Sequence, residues 1–278
     1  MGIMNLVAKY LPNSIKPLAR KIYYYKVESA DKDTLIPPKR LALLYGEDEG
    51  KDFIAVGNYI LTNLRQFASI DSGDAVLDVG CGTGLLAVPL TTYLSNGSYE
   101  GFDTIPAGIN WCQTHITARF PKFHFQVADI YHKSYNPSGK IQSLNYRFPF
   151  DDSRFDVVIL RSIFTHFRPE EMEHYLSEIS RVLKNGGRSF ITYHIINPET
   201  QELMNKNRSY FNFAHKVDDN GYTTDLRSLP VFAYEESYLR KIYQDKGLKI
   251  KEPIIYGGWR IGKDLRQFDF QDVIVAVK

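Results

Sequence analysis

The stretch Val76-Leu77-Asp78-Val79-Gly80-Cys81-Gly82-Thr83-Gly84 decides how this chain folds. A short apolar strand runs into three glycines at alternate positions, and the apolar stretch Leu85–Leu90 follows as the start of a helix. Glycines at a strand-to-helix turn let the backbone take positive φ and approach a ligand closely. Two details count against a dinucleotide. A G-x-G-x-x-G pattern needs its last glycine where Leu85 stands, and Asp78, two residues before Gly80, would repel a pyrophosphate. NAD is therefore not expected to bind.

Outward from the loop, strand-like runs alternate with helical stripes. The runs are Ala75–Leu77, Tyr99–Phe102, Phe123–Val127, Asp156–Leu160 and Ser189–Tyr193. Between them lie stripes at helical spacing: Ile105, Ile109, Cys112 and Ile116, then Met172, Tyr175, Leu176, Ile179, Val182 and Leu183. This alternation predicts an α/β fold, a doubly wound and mostly parallel seven-stranded sheet with helices on both faces. Lys249–Ile255 and Asp272–Val277 have no helix between them and predict an antiparallel pair closing the sheet edge. Tyr131–Phe150 and Asn205–Tyr234 resist assignment. Aromatic residues argue against disorder in them, and connections this long predict insertions that border one pocket above the strand ends, with the N-terminal helices.

Composition narrows the class. The 278 residues are 44% hydrophobic and 24% charged, with a formal net charge of +2, which excludes a disordered chain and a dedicated nucleic-acid binder. No nucleic-acid partner is expected. The basic residues gather in the first 40, where Ile3, Leu6, Val7, Tyr10 and Leu11 share one helical face. Residues 1–72 therefore read as an N-terminal helical arm or cap on a domain spanning 73–278. Peripheral membrane contact through residues 1–26 is the other reading of that basic amphipathic pattern, and the docked cap is favoured. Cys81 and Cys112 have no metal-ligand spacing, so no metal is expected, and the chain carries no apparent signal peptide. These features point to the cytoplasm.

On Leu77–Gly84, the chain resembles the class I S-adenosylmethionine-dependent methyltransferases, whose first motif this stretch matches. The likeness covers roughly residues 73–278. It includes Arg181–Gly187 as the turn before the fifth strand, with Asn185 where proline is usual. S-adenosylmethionine carries an ammonium, a sulfonium and no phosphate, so an acid at the loop suits it. The resemblance implies that Asp78, Gly80, Cys81, Gly82 and Gly84 cradle its methionine part. Asp103, beside Thr104 at the second strand end, would take the ribose hydroxyls. Asp129, between Ala128 and Ile130 at the third, would bond the adenine amino group. Arg161 and Ser162 end the fourth strand on the same side, and Arg161 could pair with a carboxylate.

Methyl transfer to a hydroxyl needs alignment and a proton acceptor. His166, beyond the fourth strand, is the first candidate base and His194, after the fifth, the second. His115, His124, His132 and His174 carry no expected role. The Asp/Asn-Pro-Pro-aromatic motif of enzymes acting on nucleobase and amide nitrogens is absent from Leu160–His166. The sequence thus predicts methyl transfer to a small-molecule acceptor, a hydroxyl of a metabolite, sugar or glycan end. The alternatives are an RNA or protein methyltransferase and a non-catalytic binder of the cofactor.

Overall fold

A computed structural model describes residues 35–45, 52–224, 230–261 and 270–278. The amphipathic pattern of the first 34 residues lies outside them. A short helix at Lys39–Ala42 leads to Tyr45, and helix α1 (Phe53–Asn63) follows, capped by Asp52, which accepts the Ile54 and Ala55 N–H groups at 2.9 and 3.2 Å. Then come β1 (Ala75–Val79), α2 (Ala87–Tyr93), β2 (Ser98–Asp103), α3 (Pro106–Cys112), β3 (Phe123–Val127), β4 (Phe155–Leu160), α4 (Pro169–Val182) and β5 (Leu183–Tyr193). After β5 run β6 (Ile195–Ile196), α5 (Pro198–Asn205), β7 (His215–Lys216), β8 (Gly221–Thr223), β9 (Phe232–Glu235), α6 (Glu236–Asp245), β10 (Lys249–Ile250) and β11 (Asp272–Val277). No helix among the described residues is long and apolar enough to cross a membrane.

The main sheet has seven strands in the order β10-β11-β5-β4-β1-β2-β3. Strands β1 to β5 are parallel, β11 runs antiparallel to β5, and β10 antiparallel to β11. This is the expected doubly wound sheet with its antiparallel edge. Side chains alternate between its faces with a period of two. Leu77, Val79, Phe102, Val158 and Leu160 face α4 and α6, while Val76, Tyr99, Val157 and Ile159 face α1, α2 and α3. The strand order reverses between β1 and β4, which opens a crevice at their carboxyl ends.

Two details differ from the sequence expectation. The Asn185-Gly186-Gly187 turn lies within β5, where the β4 register jumps and Gly186 takes φ +78° while donating to the Lys278 carbonyl at 2.8 Å. The stretch after Asn205 is not a structureless insertion, because β6, β9, β8 and β7 form a second sheet in that order. Strands of two to four residues are too short for a period-two pattern to register. The other stretch, 131–150, begins as an irregular loop held by a bridge between Ile130 and Ile141. It ends by packing Tyr146, Phe148 and Phe150 around the Phe102 ring at 5.7, 5.1 and 6.4 Å.

Candidate active site

The glycine loop is shaped by three positive φ angles, +77° at Gly80, +56° at Gly82 and +80° at Gly84. A side chain would be strained at each. A Cβ on Gly80 would also lie 2.4 Å from Ile163 Cδ1, so the loop is tight as well as twisted. Gly80 and Cys81 N–H both donate to the Phe102 carbonyl, at 2.9 and 3.1 Å, which fastens the loop to the end of β2. Cys81 is buried, its thiol is pushed well above the usual range by burial, and its sulfur packs against Gly101. It is a small filler there.

The crevice holds two adjoining cavities. The first, about 270 Å³, is lined by Asp78, Gly80, Cys81, Gly82, Arg161 and Ser162, among others, and is roofed by Tyr45 and Ile60. The second, about 120 Å³, lies toward α4 and is bounded by Ile130, Tyr131, His132, Ser143, Phe167 and Glu171, among others. Gly80, Asp103, Thr104, Tyr135, Ile163 and His166 line both. Thus the N-terminal helices and the 131–150 stretch border the pocket as expected. The described part of the 205–234 stretch lines neither cavity.

Two buried acids dominate the electrostatics. Burial raises the Asp78 carboxyl from 3.8 to about 6, opposed by the Tyr99 hydroxyl, which donates to Oδ2 at 2.7 Å, and by the Arg161 charge. Burial likewise raises Asp103 to about 6, opposed by backbone donors. Gly82 N–H reaches Asp103 Oδ2 at 3.0 Å and Ile105 N–H reaches Oδ1 at 2.9 Å. A carboxylate has about four lone-pair sites, so the backbone donors do not exhaust it and acceptor capacity is left for a ligand. A cavity carrying two desolvated acids and a close-approach glycine loop fits a ligand with a cationic end and a diol. It does not fit a phosphate.

His166 sits on a single turn, Phe164–His166, after Ser162, which has φ +57°. The Ser162 N–H donates to Thr192 Oγ1 at 2.8 Å and its hydroxyl to Gln271 Oε1 at 3.0 Å. His166 lines both cavities, and its Nδ1 is buried without a hydrogen bond. Burial lowers the imidazole below its ordinary value, against the Pro230 carbonyl and with a smaller push from His132, which favours the neutral ring.

Other expected residues sit elsewhere. His194 lines neither cavity; it is 1% exposed and walled by Trp259, Phe211 and Phe213 at 5.1, 5.1 and 5.4 Å. Burial pushes its imidazole down to about 3. Asp129 is exposed and lines neither cavity, and its Oδ1 accepts the Lys140 N–H at 3.1 Å. Ala128 is buried behind it, and only Ile130 of that trio reaches the cleft. Sequence reasoning missed His132, Tyr135, Ser143 and Glu171. They meet only because the 131–150 stretch folds back over the first turn of α4, and nothing local in the sequence signals that.

Comparison with known proteins agrees with this geometry. A family model described as methyltransferase domain matches residues 76–187. The phthiotriol/phenolphthiotriol dimycocerosates methyltransferase 1 of Mycobacterium ulcerans is 30% identical over 165 residues, 59% of this chain and 51% of that one. The chain thus spans about half the length of the curated relatives it matches. Among solved structures, an S-adenosylmethionine-dependent methyltransferase from Methanosarcina mazei superposes with a TM-score of 0.53 at 20% identity, covering 79% of this chain and 96% of its own. The magnesium protoporphyrin IX methyltransferase of Synechocystis, solved with bound S-adenosylhomocysteine, gives 0.52 at 16% identity, covering 93% and 99%. At such identities the structural likeness speaks for the fold. The sheet order, the twisted glycine loop and the match to a methyltransferase domain coincide on the same residues, and over 76–187 the chain is similar to a methyltransferase domain.

Proposed function

We propose that this protein methylates a hydroxyl of a small acceptor, using S-adenosylmethionine and releasing S-adenosylhomocysteine. The observation that carries the proposal is the placing of His166 on the wall shared by both cavities, with an imidazole that burial shifts toward its neutral form. Bound in the cleft, the cofactor supplies a sulfonium methyl already activated for in-line displacement. The chain's own groups do the rest. Asp78 would hold the ammonium, Gly80 and Gly82 allow the methionine part close to the backbone, and the free lone pairs of Asp103 would take the ribose hydroxyls. His166 accepts the proton of the acceptor hydroxyl as that oxygen bonds the methyl carbon. The neutral product then leaves, and the imidazolium returns the proton to water.

One further observation supports a hydroxylated acceptor. The mycobacterial relatives are named for phthiotriol and phenolphthiotriol dimycocerosates, names that carry the alcohol ending. No specific acceptor is assigned. The test is release of S-adenosylhomocysteine from purified protein with a panel of long-chain diols, sugars and phenols. Hydroxyl-dependent release that His166→Ala abolishes supports the reading. Cofactor binding without release on any hydroxylated acceptor would favour the non-catalytic alternative.

A further inference from the structure

The second cavity joins the first at Asp103, where the ribose would sit, and runs away from Asp78 toward α4. On the cofactor reading above, on which this inference rests, the group beyond the ribose is adenine: a flat, largely apolar ring with one polar edge. Phe102, Ile130, Ile163, Phe167 and Tyr175 supply apolar wall. Besides Asp103, Thr104, Tyr135 and His166, which it shares with the first cavity, and the Tyr131 hydroxyl, its polar lining groups are His132, Ser143 and Glu171. Asp129, the expected partner of the adenine amino group, lines neither cavity and bonds its own loop instead.

The hydrogen bonds of His132 fix its role. Its Nδ1 accepts from the Ser134 and Tyr135 N–H groups at 3.1 and 3.2 Å, so in the neutral ring the proton is on Nε2. That nitrogen is a donor. Glu171 is an acceptor: Oε2 takes the Arg168 N–H at 2.8 Å and Oε1 takes the Ser143 hydroxyl, leaving a lone pair on each oxygen. Burial lowers the His132 imidazole below its ordinary value, opposed by the nearby Glu171 charge. Adenine offers the matching pattern along one edge, an exocyclic amino donor beside a ring-nitrogen acceptor. We propose that Glu171 accepts from the adenine amino group and His132 Nε2–H donates to the adjacent ring nitrogen. Adenine recognition then rests on the 131–150 stretch and the first turn of α4, and not on Asp129.

Hypoxanthine tests this, because deamination replaces the amino donor by a carbonyl acceptor and the neighbouring acceptor by an N–H donor. Titration calorimetry with S-adenosylhomocysteine and S-inosylhomocysteine is the measurement. Wild-type protein should bind the adenosyl compound about ten- to a hundredfold more tightly, as expected when a bond to a charged group is lost. Glu171→Gln keeps the capping arrangement at the start of α4, which glutamine also supports, and gives the site an amide that can donate to the new carbonyl. It should shrink the preference to a few-fold and raise affinity for the inosyl compound. A merely structural Glu171 would lose affinity for both. His132→Asn, whose Oδ1 can still accept the loop N–H groups but whose donor is too short to reach, should weaken adenosyl binding about tenfold. Asp129→Ala should leave it within about twofold. Equal affinity of wild type for the two compounds overturns the proposal, as does a discrimination that survives Glu171→Gln and is lost in Asp129→Ala. Failure of wild type to bind either compound would sink the cofactor reading itself.

Discussion

Replacing Asp78 by Asn should stabilise the protein and weaken its hold on the cofactor at the same time. Asp78 is 5% exposed, and burial raises its carboxyl from 3.8 to about 6 despite the Tyr99 hydroxyl and the Arg161 charge. A rise of about two units corresponds to about 3 kcal/mol in favour of the protonated form. The unfolded chain releases this proton near 3.8, so between 3.8 and about 6 the folded protein binds a proton that the unfolded chain lacks. Stability therefore falls as pH rises through that window, and the full penalty stands above it. Asparagine has no charge to desolvate, and its Oδ1 can still take the Tyr99 hydroxyl. Arg161 loses a nearby opposite charge, which offsets part of the gain and leaves about 1–2 kcal/mol at pH 8. Urea denaturation should show that gain at pH 8 shrinking to a few tenths of a kcal/mol by about pH 4, where both states of the wild-type chain approach protonation. Calorimetry should show S-adenosylhomocysteine bound about ten- to a hundredfold more weakly, since a charged partner of the ammonium is gone. A variant less stable than wild type at pH 8, or equally favoured at both pH values, would refute the claim that Asp78 is held ionised against its burial for the ligand's sake.

Four other outcomes are expected. Asp103→Ala should weaken S-adenosylhomocysteine binding about ten- to a hundredfold in calorimetry. Wild-type affinity for the same compound should be flat above pH 7 and fall below about pH 6, up to about tenfold per unit for each acid, as Asp78 and Asp103 take up protons. Gly80→Ala should lower stability by at least about 1–2 kcal/mol in denaturation, because φ +77° and the Ile163 contact both oppose a Cβ. His166→Ala should leave cofactor affinity within a few-fold and cut turnover by about two to four orders of magnitude, with loss of a titration from the rate profile at or below the usual imidazole range.

Much of this architecture was legible because the residues concerned report on themselves. Three glycines at alternate positions after Val76–Val79 need no tertiary information to signal a turn of positive φ, and the structure has all three. Buried parallel strands such as β4 and amphipathic α4 carry their own periods. Asp103 was found by its distance from the loop, a spacing set by one strand-helix-strand unit. Asp129 obeyed the same rule and still points away from the cleft, since the loop after β3 curls back to let Lys140 and Ile141 donate to its carbonyl at 3.2 and 2.9 Å. A spacing rule holds only while the connection stays short. His132 and Glu171 lie 39 residues apart, and their approach depends on the intervening chain closing on itself. That is a long-range event with no periodic trace.

The aromatic residues of the 205–234 stretch show a different limit. Rings in a long connection suggested a pocket lining, yet those seen here build a support behind it. Phe211 and Phe213 seal His194, and Trp259 Nε1, Ile195 N–H and Gly257 N–H all converge on buried Asp272 at 2.7–2.8 Å. From the same unit, the Tyr234 hydroxyl lies 2.6 Å from the Phe164 carbonyl and 2.7 Å from that of Phe167, a bifurcated contact spanning the turn that carries His166. A buried hydroxyl shared between two carbonyls holds that turn from below, while Thr192 holds the Ser162 N–H at its start. His166 is therefore aimed by residues that never reach the cleft. Composition could give the chemical type of those residues, but only the second sheet decides which side of the turn they occupy.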